Sequence, residues 1–298
     1  MLRPALLGAL VAACTALAGA QASLPEPDFP EMVHLARLYY SVRYETPEET
    51  RRAWESAYGE LALVDLPATQ NRYLLGTLRG GTRQEIVIRG TANFVNAVYD
   101  AEVAKSWNAE LQIRLHRGFE RMALALYADL RPRLLRDAEL VLFGHSLGAA
   151  EAVVVGMLLT HDGYRLKQIY ASGQPKVTDA AGAERWKDLP VLRISCEGDP
   201  IPLLPPRSVV SASPYVHLGP EILLLDGPYY FVADDRSGDE VRLSEVWSLL
   251  RAETLRGALD VHYFRAYYPR YLSKEGGAIR EATGPQLWEE LVPGAVPP

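Results

Sequence analysis

The feature that most constrains this chain is Gly144-His145-Ser146-Leu147-Gly148, set directly behind the apolar run 139–143 and ahead of an apolar stretch reaching about residue 160. The first run has the length and composition of a buried strand, and the second is long enough for a helix. The chain must therefore turn from strand into helix within a few residues, and glycine on either side of Ser146 removes the side chains that would clash there. Such a turn lifts the serine hydroxyl above the sheet edge. It also aims the first amides of the new helix, with their partial positive charge, at the space around that hydroxyl. A serine used as a nucleophile needs exposure, a base, and donors for the oxyanion it creates. The turn supplies the first of these, and the backbone N–H of Leu147 is one candidate for the last. The alternative is a serine that merely caps a helix in a Rossmann-like sheet.

The neighbouring segments suit the same architecture. Residues 31–58 carry apolar positions at helical spacing, among them Met32, Leu35, Leu38 and Tyr39, and Thr46-Pro47-Glu48-Glu49 has the form of a helix start, which predicts two helices. Residues 72–78 and 85–89 predict a β-hairpin across Arg79-Gly80-Gly81-Thr82. Residues 116–135 place Phe119, Met122, Ala123, Leu126 and Leu130 on one helical face. Further strands are expected at 167–171, 191–196 and 221–225. Strands alternating with helices predict an α/β fold, a mostly parallel central sheet with helices on both faces. No repeat or linker interrupts the chain, so residues 23–298 are expected to form one domain.

Residues 1–22 differ from the rest: Arg3 is followed by a nearly unbroken apolar run and then by Ala18-Gly19-Ala20-Gln21-Ala22, the small-residue spacing of a signal peptide cleaved after Ala22. Export is the expected fate. Val11-Ala12-Ala13-Cys14 also has the form of a lipoprotein box, which would leave the chain lipid-anchored through Cys14. An uncleaved anchor helix is a third possibility, but the apolar run is short for a membrane span. With Cys14 removed, Cys196 stands alone, so no intramolecular disulfide is expected, and its apolar surroundings predict a buried core thiol. The net charge of −6 is modest and the basic residues are dispersed, which gives no footprint for nucleic acid. No cluster has metal-ligand spacing, so neither metal nor organic cofactor is expected.

Several motifs in order carry a resemblance to the class 3, or fungal-type, triacylglycerol lipases of the α/β-hydrolase superfamily. These are Arg89-Gly90-Thr91, Leu115-His116-Arg117-Gly118-Phe119, Gly144-His145-Ser146-Leu147-Gly148-Ala149, Ser172-Gly173-Gln174-Pro175 and Asp199-Pro200-Ile201-Pro202-Leu203-Leu204-Pro205-Pro206. The likeness spans roughly residues 84–267 and implies the α/β-hydrolase fold. It further implies a serine hydrolase acting on lipid or other carboxylic esters through an acyl-enzyme, with Ser146, Asp199 and His262 as its triad and Thr91 and Leu147 as oxyanion donors. Of the six histidines, His262 in Asp260-Val261-His262-Tyr263-Phe264 resembles the family's histidine neighbourhood, although Val261 is inserted and the spacing to the aromatics is altered. His217 also follows the acid and competes with it, but the resemblance puts it on a strand within the sheet. His145, inside the turn, is expected to point away from the nucleophile. Asp226 and Glu197 are the alternatives to Asp199, and a packed histidine among Phe264, Tyr267 and Tyr268 is the alternative for His262. The family also has a lid, expected here near residues 92–115, where Phe94, Val95, Val98, Tyr99 and Trp107 could meet an acyl chain or simply form helix core. Phospholipase or feruloyl-type esterase chemistry on the same triad, or a non-catalytic envelope lipoprotein keeping the fold, are the competing functions.

Overall fold

The computed structural model describes residues 26–90, 104–196, 198–205, 213–233, 260–276 and 279–281. The leader 1–22, Cys14, Thr91, the segment 92–103, Glu197 and the tail 293–298 lie outside the described residues.

Two helices open the described chain, α1 (Phe29–Tyr44) and α2 (Pro47–Trp54). Each starts where its sequence supplies a cap. The Asp28 side chain accepts from Glu31 N at the head of α1, and Thr46 and Glu49 form a reciprocal capping box at the head of α2. Three antiparallel strands follow, β1 (Tyr58–Leu66), β2 (Asn71–Leu78) and β3 (Arg83–Ile88). The sequence reading found the β2–β3 hairpin and missed β1, whose mixed exposure at the sheet edge blurs its apolar alternation.

Beyond β3 the sheet becomes parallel through β6 (Glu139–His145), β7 (Arg165–Ser172), β9 (Val191–Cys196) and β11 (Glu221–Leu224). It closes with β12 (Tyr229–Ala233), antiparallel to β11, and β13 (Arg280–Glu281). The resulting nine-stranded order is β1-β2-β3-β6-β7-β9-β11-β12-β13. Helices α3 (Arg117–Leu130) and α4 (Leu147–His161) cover one face, packing Phe119, Leu126 and Val153 against Ile86, Leu140 and Ile169. Helices α1 and α6 (Phe264–Leu272), the latter numbered after the short α5 (Ala180–Arg185), cover the other with Leu35, Tyr39, Phe264 and Tyr267 against Val87, Phe143 and Ile194. A mostly parallel sheet with helices on both faces is thus the observed architecture. Burying such faces contributes about 25 cal/mol per Å2 of apolar surface removed from water, and the one free cysteine described, Cys196, takes its place in the second face as a buried thiol.

A second sheet stands apart: β4 (Lys105–Asn108), β5 (Ile113–His116), β8 (Thr178–Asp179) and β10 (Tyr215–Val216), in the order β10-β8-β5-β4. Residues 105–116 thus form a strand hairpin, so a helical flap cannot occupy that part of the 92–115 stretch. His217 lies one residue past β10, beside this small sheet and not within a strand of the large one, because the short β10 pairs with β8. Among the described residues no helix is long and apolar enough to cross a membrane.

Candidate active site

The parallel strands all point their carboxyl ends the same way, and the loops leaving those ends collect the polar groups predicted from the sequence. Ser146 leaves β6 with φ 60° and ψ −125°, a left-handed conformation that costs a non-glycine residue on the order of 1–3 kcal/mol. Its amide donates to Ser172 O at 2.8 Å, pinning the turn to β7. The flanking glycines are required by packing as well as by the turn. A Cβ on Gly144 would stand 2.2 Å from Gly148 O, and one on Gly148 would stand 2.3 Å from Ile88 O. Gly90, at φ +70°, backs onto the same helix start, where a Cβ would lie 2.6 Å from Gly148 N. Leu147 is the first residue of α4, so its amide has no carbonyl one turn earlier to receive it.

His262 is buried just ahead of α6, with its Nε2 2.7 Å from Ser146 Oγ. On the opposite side its Nδ1 lies 2.8 and 3.0 Å from the two carboxylate oxygens of Asp199, which leaves the end of β9. A carboxylate can only accept, so Nδ1 carries the ring proton and donates it; Nε2 is left with the lone pair that accepts from the serine hydroxyl. Asp199 also accepts from Ile201 N at 2.9 Å and from the Tyr267 hydroxyl. Burial works to raise its pKa, yet His262, the Tyr267 hydroxyl and the Ile201 amide outweigh burial and hold the carboxyl below its ordinary value. Burial and the neighbouring Asp199 push the Tyr267 phenol well upward, so it stays a donor.

The structure therefore brings Ser146, His262 and Asp199 into one hydrogen-bonded line. It gives other work to the competing residues. His217 Nε2 donates to Pro202 O at 2.6 Å, and Asp226 is exposed on the surface, paired with Arg270 at 3.0 Å. His116 caps α3 by accepting from Phe119 N, with burial lowering its pKa to about 4.

Two contributors escaped the sequence. In the sequence Tyr267 figures only in the aromatic cluster that could pack around His262; placement on α6 brings its hydroxyl to the acid. His145 does point away from Ser146 Oγ, but into the back of His262: the two rings stack with centroids 5.0 Å apart, and its Nε2 donates to His262 O at 2.8 Å. Its Nδ1 accepts from Ser172 Oγ at 3.2 Å, and burial followed by the nearby His262 lowers its pKa to about 3, which keeps it neutral. The turn motif itself thus supplies a brace for the histidine.

Among the described residues one group could share an ion: Glu110, His161 and Asp162, at the surface. It lies at the far end of α4 from Ser146, about 22 Å along the axis at 1.5 Å per residue, and Asp162 already accepts from Tyr127 and faces Arg131. Trp107, on the exposed side of β4, is 56% exposed and so is not helix core.

Residues 85–209 match the family model described as Lipase (class 3), so the likeness to that family read from the motifs is borne out over this segment. Among curated proteins, a secreted mono- and diacylglycerol lipase A of Penicillium cyclopium is 39% identical over 84 residues, 28% of this chain and 26% of the relative. The chain thus matches about a quarter of that relative's length. Among solved structures, lipase II from Rhizopus niveus superimposes with a TM-score of 0.53 over 67% of this chain and 80% of its own, at 21% identity. A lipase from Rhizopus microsporus var. chinensis gives a TM-score of 0.55 over 69% and 76% of the two chains, at 19% identity. These superpositions establish the shared α/β-hydrolase fold.

Proposed function

We propose that this chain, a class 3 lipase sequence over residues 85–209, hydrolyses carboxylic esters of lipids with Ser146 as its nucleophile. The observation that carries this is the unbroken line from Ser146 Oγ through the two ring nitrogens of His262 to the buried Asp199. In the acylation step Ser146 Oγ bonds to the ester carbonyl carbon while His262 Nε2 takes its proton. The tetrahedral intermediate then collapses, and the same proton leaves with the departing alcohol. Water repeats the sequence on the acyl-serine and releases the acid. Asp199 holds the imidazole tautomer and balances the imidazolium charge, and Tyr267 and His145 keep acid and histidine in register.

The oxyanion would rest on the Leu147 amide and on Thr91, the residue that follows Gly90 in the chain, and Gly90 itself abuts Gly148 at the start of α4. Residues 92–103 are the segment left to act as a lid at a lipid interface. Acylglycerols or related lipid esters are the proposed substrates, supported by the mono- and diacylglycerol lipase relative. Export after cleavage at Ala22 accords with the leader composition and with the secreted relative, and residues 23–298 are taken as a single domain.

The test is hydrolysis of p-nitrophenyl esters from acetate to palmitate by the mature protein beside Ser146→Ala. We expect turnover in the wild type and a loss of about 10^4-fold or more in the variant. A folded wild type inert to every ester and to a fluorophosphonate probe would overturn the proposal in favour of a non-catalytic envelope protein.

A further inference from the structure

Helical spacing reads Tyr39 as core, and its ring is: the side chain is buried against Phe143, His145 and Phe264, at centroid distances of 5.6, 5.9 and 4.3 Å. Phenylalanine would fill that space equally well. Tyrosine differs by a hydroxyl that needs an acceptor once it is buried, and here it donates to Arg89 O at 3.1 Å. Burial pushes the phenol upward, so the group keeps its proton at neutral pH.

The acceptor lies where the large sheet gives way to the catalytic edge. Strand β3 stops at Ile88, and so does its parallel ladder with β6, at the Ile88–Gly144 pair. Arg89 N still donates to Arg72 O at 2.9 Å, but the Arg89 carbonyl has passed the last ladder position. The peptide unit it belongs to is pressed against the start of α4: a Cβ on Gly148 would stand 3.0 Å from Arg89 C and 3.0 Å from Gly90 N. Gly90 then turns at φ +70°, where a Cβ would lie 3.3 Å from Leu147 Cβ. One peptide plane is thus held between the Tyr39 hydroxyl, on its oxygen, and the Gly148 backbone. Because the peptide bond does not rotate freely, fixing that oxygen also fixes Gly90 N and the direction in which the chain runs on towards Thr91.

Resting on the ester-hydrolase reading above, in which Leu147 and Thr91 hold the oxyanion, we propose that Tyr39 is a positioning residue for that hole. Its hydroxyl sets the Arg89–Gly90 peptide against α4 and so fixes the spacing of the two donors. The helix that carries it lies ahead of residues 85–209, so this support comes from outside the segment that matches the lipase family model. A misplaced donor weakens binding of charge that develops only in the transition state, so the loss falls on kcat and not on KM.

The test is Tyr39→Phe, which removes the hydroxyl and keeps the ring, assayed on p-nitrophenyl butyrate beside the wild type and Tyr58→Phe at a temperature where all three remain folded. We expect kcat to fall about tenfold with KM within about twofold. The inhibition constant of phenylboronic acid, whose tetrahedral adduct on Ser146 puts an oxygen in the hole, should rise by the same factor. The acid limb of the kcat/KM profile, set by His262, should stay in place. Tyr58→Phe, which deletes a buried hydroxyl bonded to Glu85, should leave kcat and the boronate constant unchanged whatever it does to the melting temperature. A kcat equal to wild type in folded Tyr39→Phe would overturn the proposal in favour of a hydroxyl that serves packing alone. A fall in kcat that carries the acid limb with it, or that leaves the boronate constant untouched, would overturn it in favour of an effect on the histidine. A wild type inert to the ester would remove the parent function, an outcome distinct from these.

Discussion

Among the described residues, two histidine–carboxylate–tyrosine clusters are built on a buried carboxyl, and only one of them lines up with a serine. At the carboxyl ends of the strands, Asp199 accepts from His262 at 2.8 Å and from Tyr267. Beneath α1, Glu85 of β3 faces His34 at 2.8 Å and accepts from the Tyr58 hydroxyl. In both, burial works to raise the carboxyl pKa and the hydrogen-bonding partners outweigh it, so each carboxyl is held below its ordinary value. The residue types are the same and the electrostatic logic is the same.

The differences lie in the surroundings. Glu85 is also paired with Arg83 at 2.8 Å, which itself reaches Glu31 at 2.5 Å, so its charge is spent within the protein. Among the described residues no lysine or arginine is paired with Asp199, and its charge is left to act on His262. His262 presents its second nitrogen to a serine held in a strained turn, whereas no serine is hydrogen-bonded to His34 among the described residues. A third buried carboxyl completes the contrast. Glu151, on α4, has Asn71 as its hydrogen-bond partner at 2.8 Å, and burial pushes its pKa up to about 8. A carboxylate thus stays charged in this core when cationic or strongly donating groups meet it, and only at the strand ends is it aligned with a histidine and a serine.

The largest effect should separate the two clusters outright. Asp199→Asn removes the acceptor that fixes the His262 tautomer and should lower kcat by about 10^4-fold, while Glu85→Gln should leave kcat unchanged at temperatures where it remains folded. Equal losses in a butyrate ester assay would break the comparison.

Next in size is stability. Glu85→Gln breaks a buried pair and should cost about 3 kcal/mol, lowering the melting temperature by roughly 6–12 °C in calorimetry. Both carboxyls have folded pKa values below their unfolded ones, so each contributes stability that is present above the unfolded value and lost as pH falls through the folded one. Acid unfolding should therefore set in below about pH 4, and Glu85→Gln should flatten that limb.

Glu151 should show the opposite sign. Its folded pKa lies above the unfolded one, so its contribution is complete at low pH and is lost as pH rises from about 4.5 to about 8. Glu151→Gln keeps the contact with Asn71, and its melting temperature should exceed that of the wild type by a margin that grows between pH 5 and pH 8. A margin independent of pH would show that Glu151 titrates normally.

The smallest effect concerns the tyrosines. Tyr267→Phe deletes one donor to a charged acid and should lower kcat about tenfold with little change in KM; Tyr58→Phe should move only the melting temperature. A melting shift without a kcat effect for Tyr267→Phe would reduce Tyr267 to packing.

Much of the scaffold could be read before any coordinates because its signals are local. The capping box at Thr46 and Glu49, the Gly80-Gly81 hairpin and the strand-to-helix glycines at 144 and 148 each declare their geometry within a few residues. The edge strand β1 and the two-residue strands β8 and β10 did not, since their pairing partners lie far along the chain and their own periodicity is too short to register.

By itself the sequence determined where a serine could be forced onto a sharp turn, since that depends on two glycines and two flanking apolar runs. Which histidine and which acid reach that serine is pointed to in the sequence only by the family resemblance, and it is the tertiary structure that brings His262 and Asp199 together, because they lie 63 residues apart and meet through the side-by-side order of β6, β7 and β9. It likewise decided that Tyr267 and His145 brace them. A hydrogen bond depends on positions in space to within a few tenths of an ångström, and no pattern of neighbouring residues along the chain specifies that.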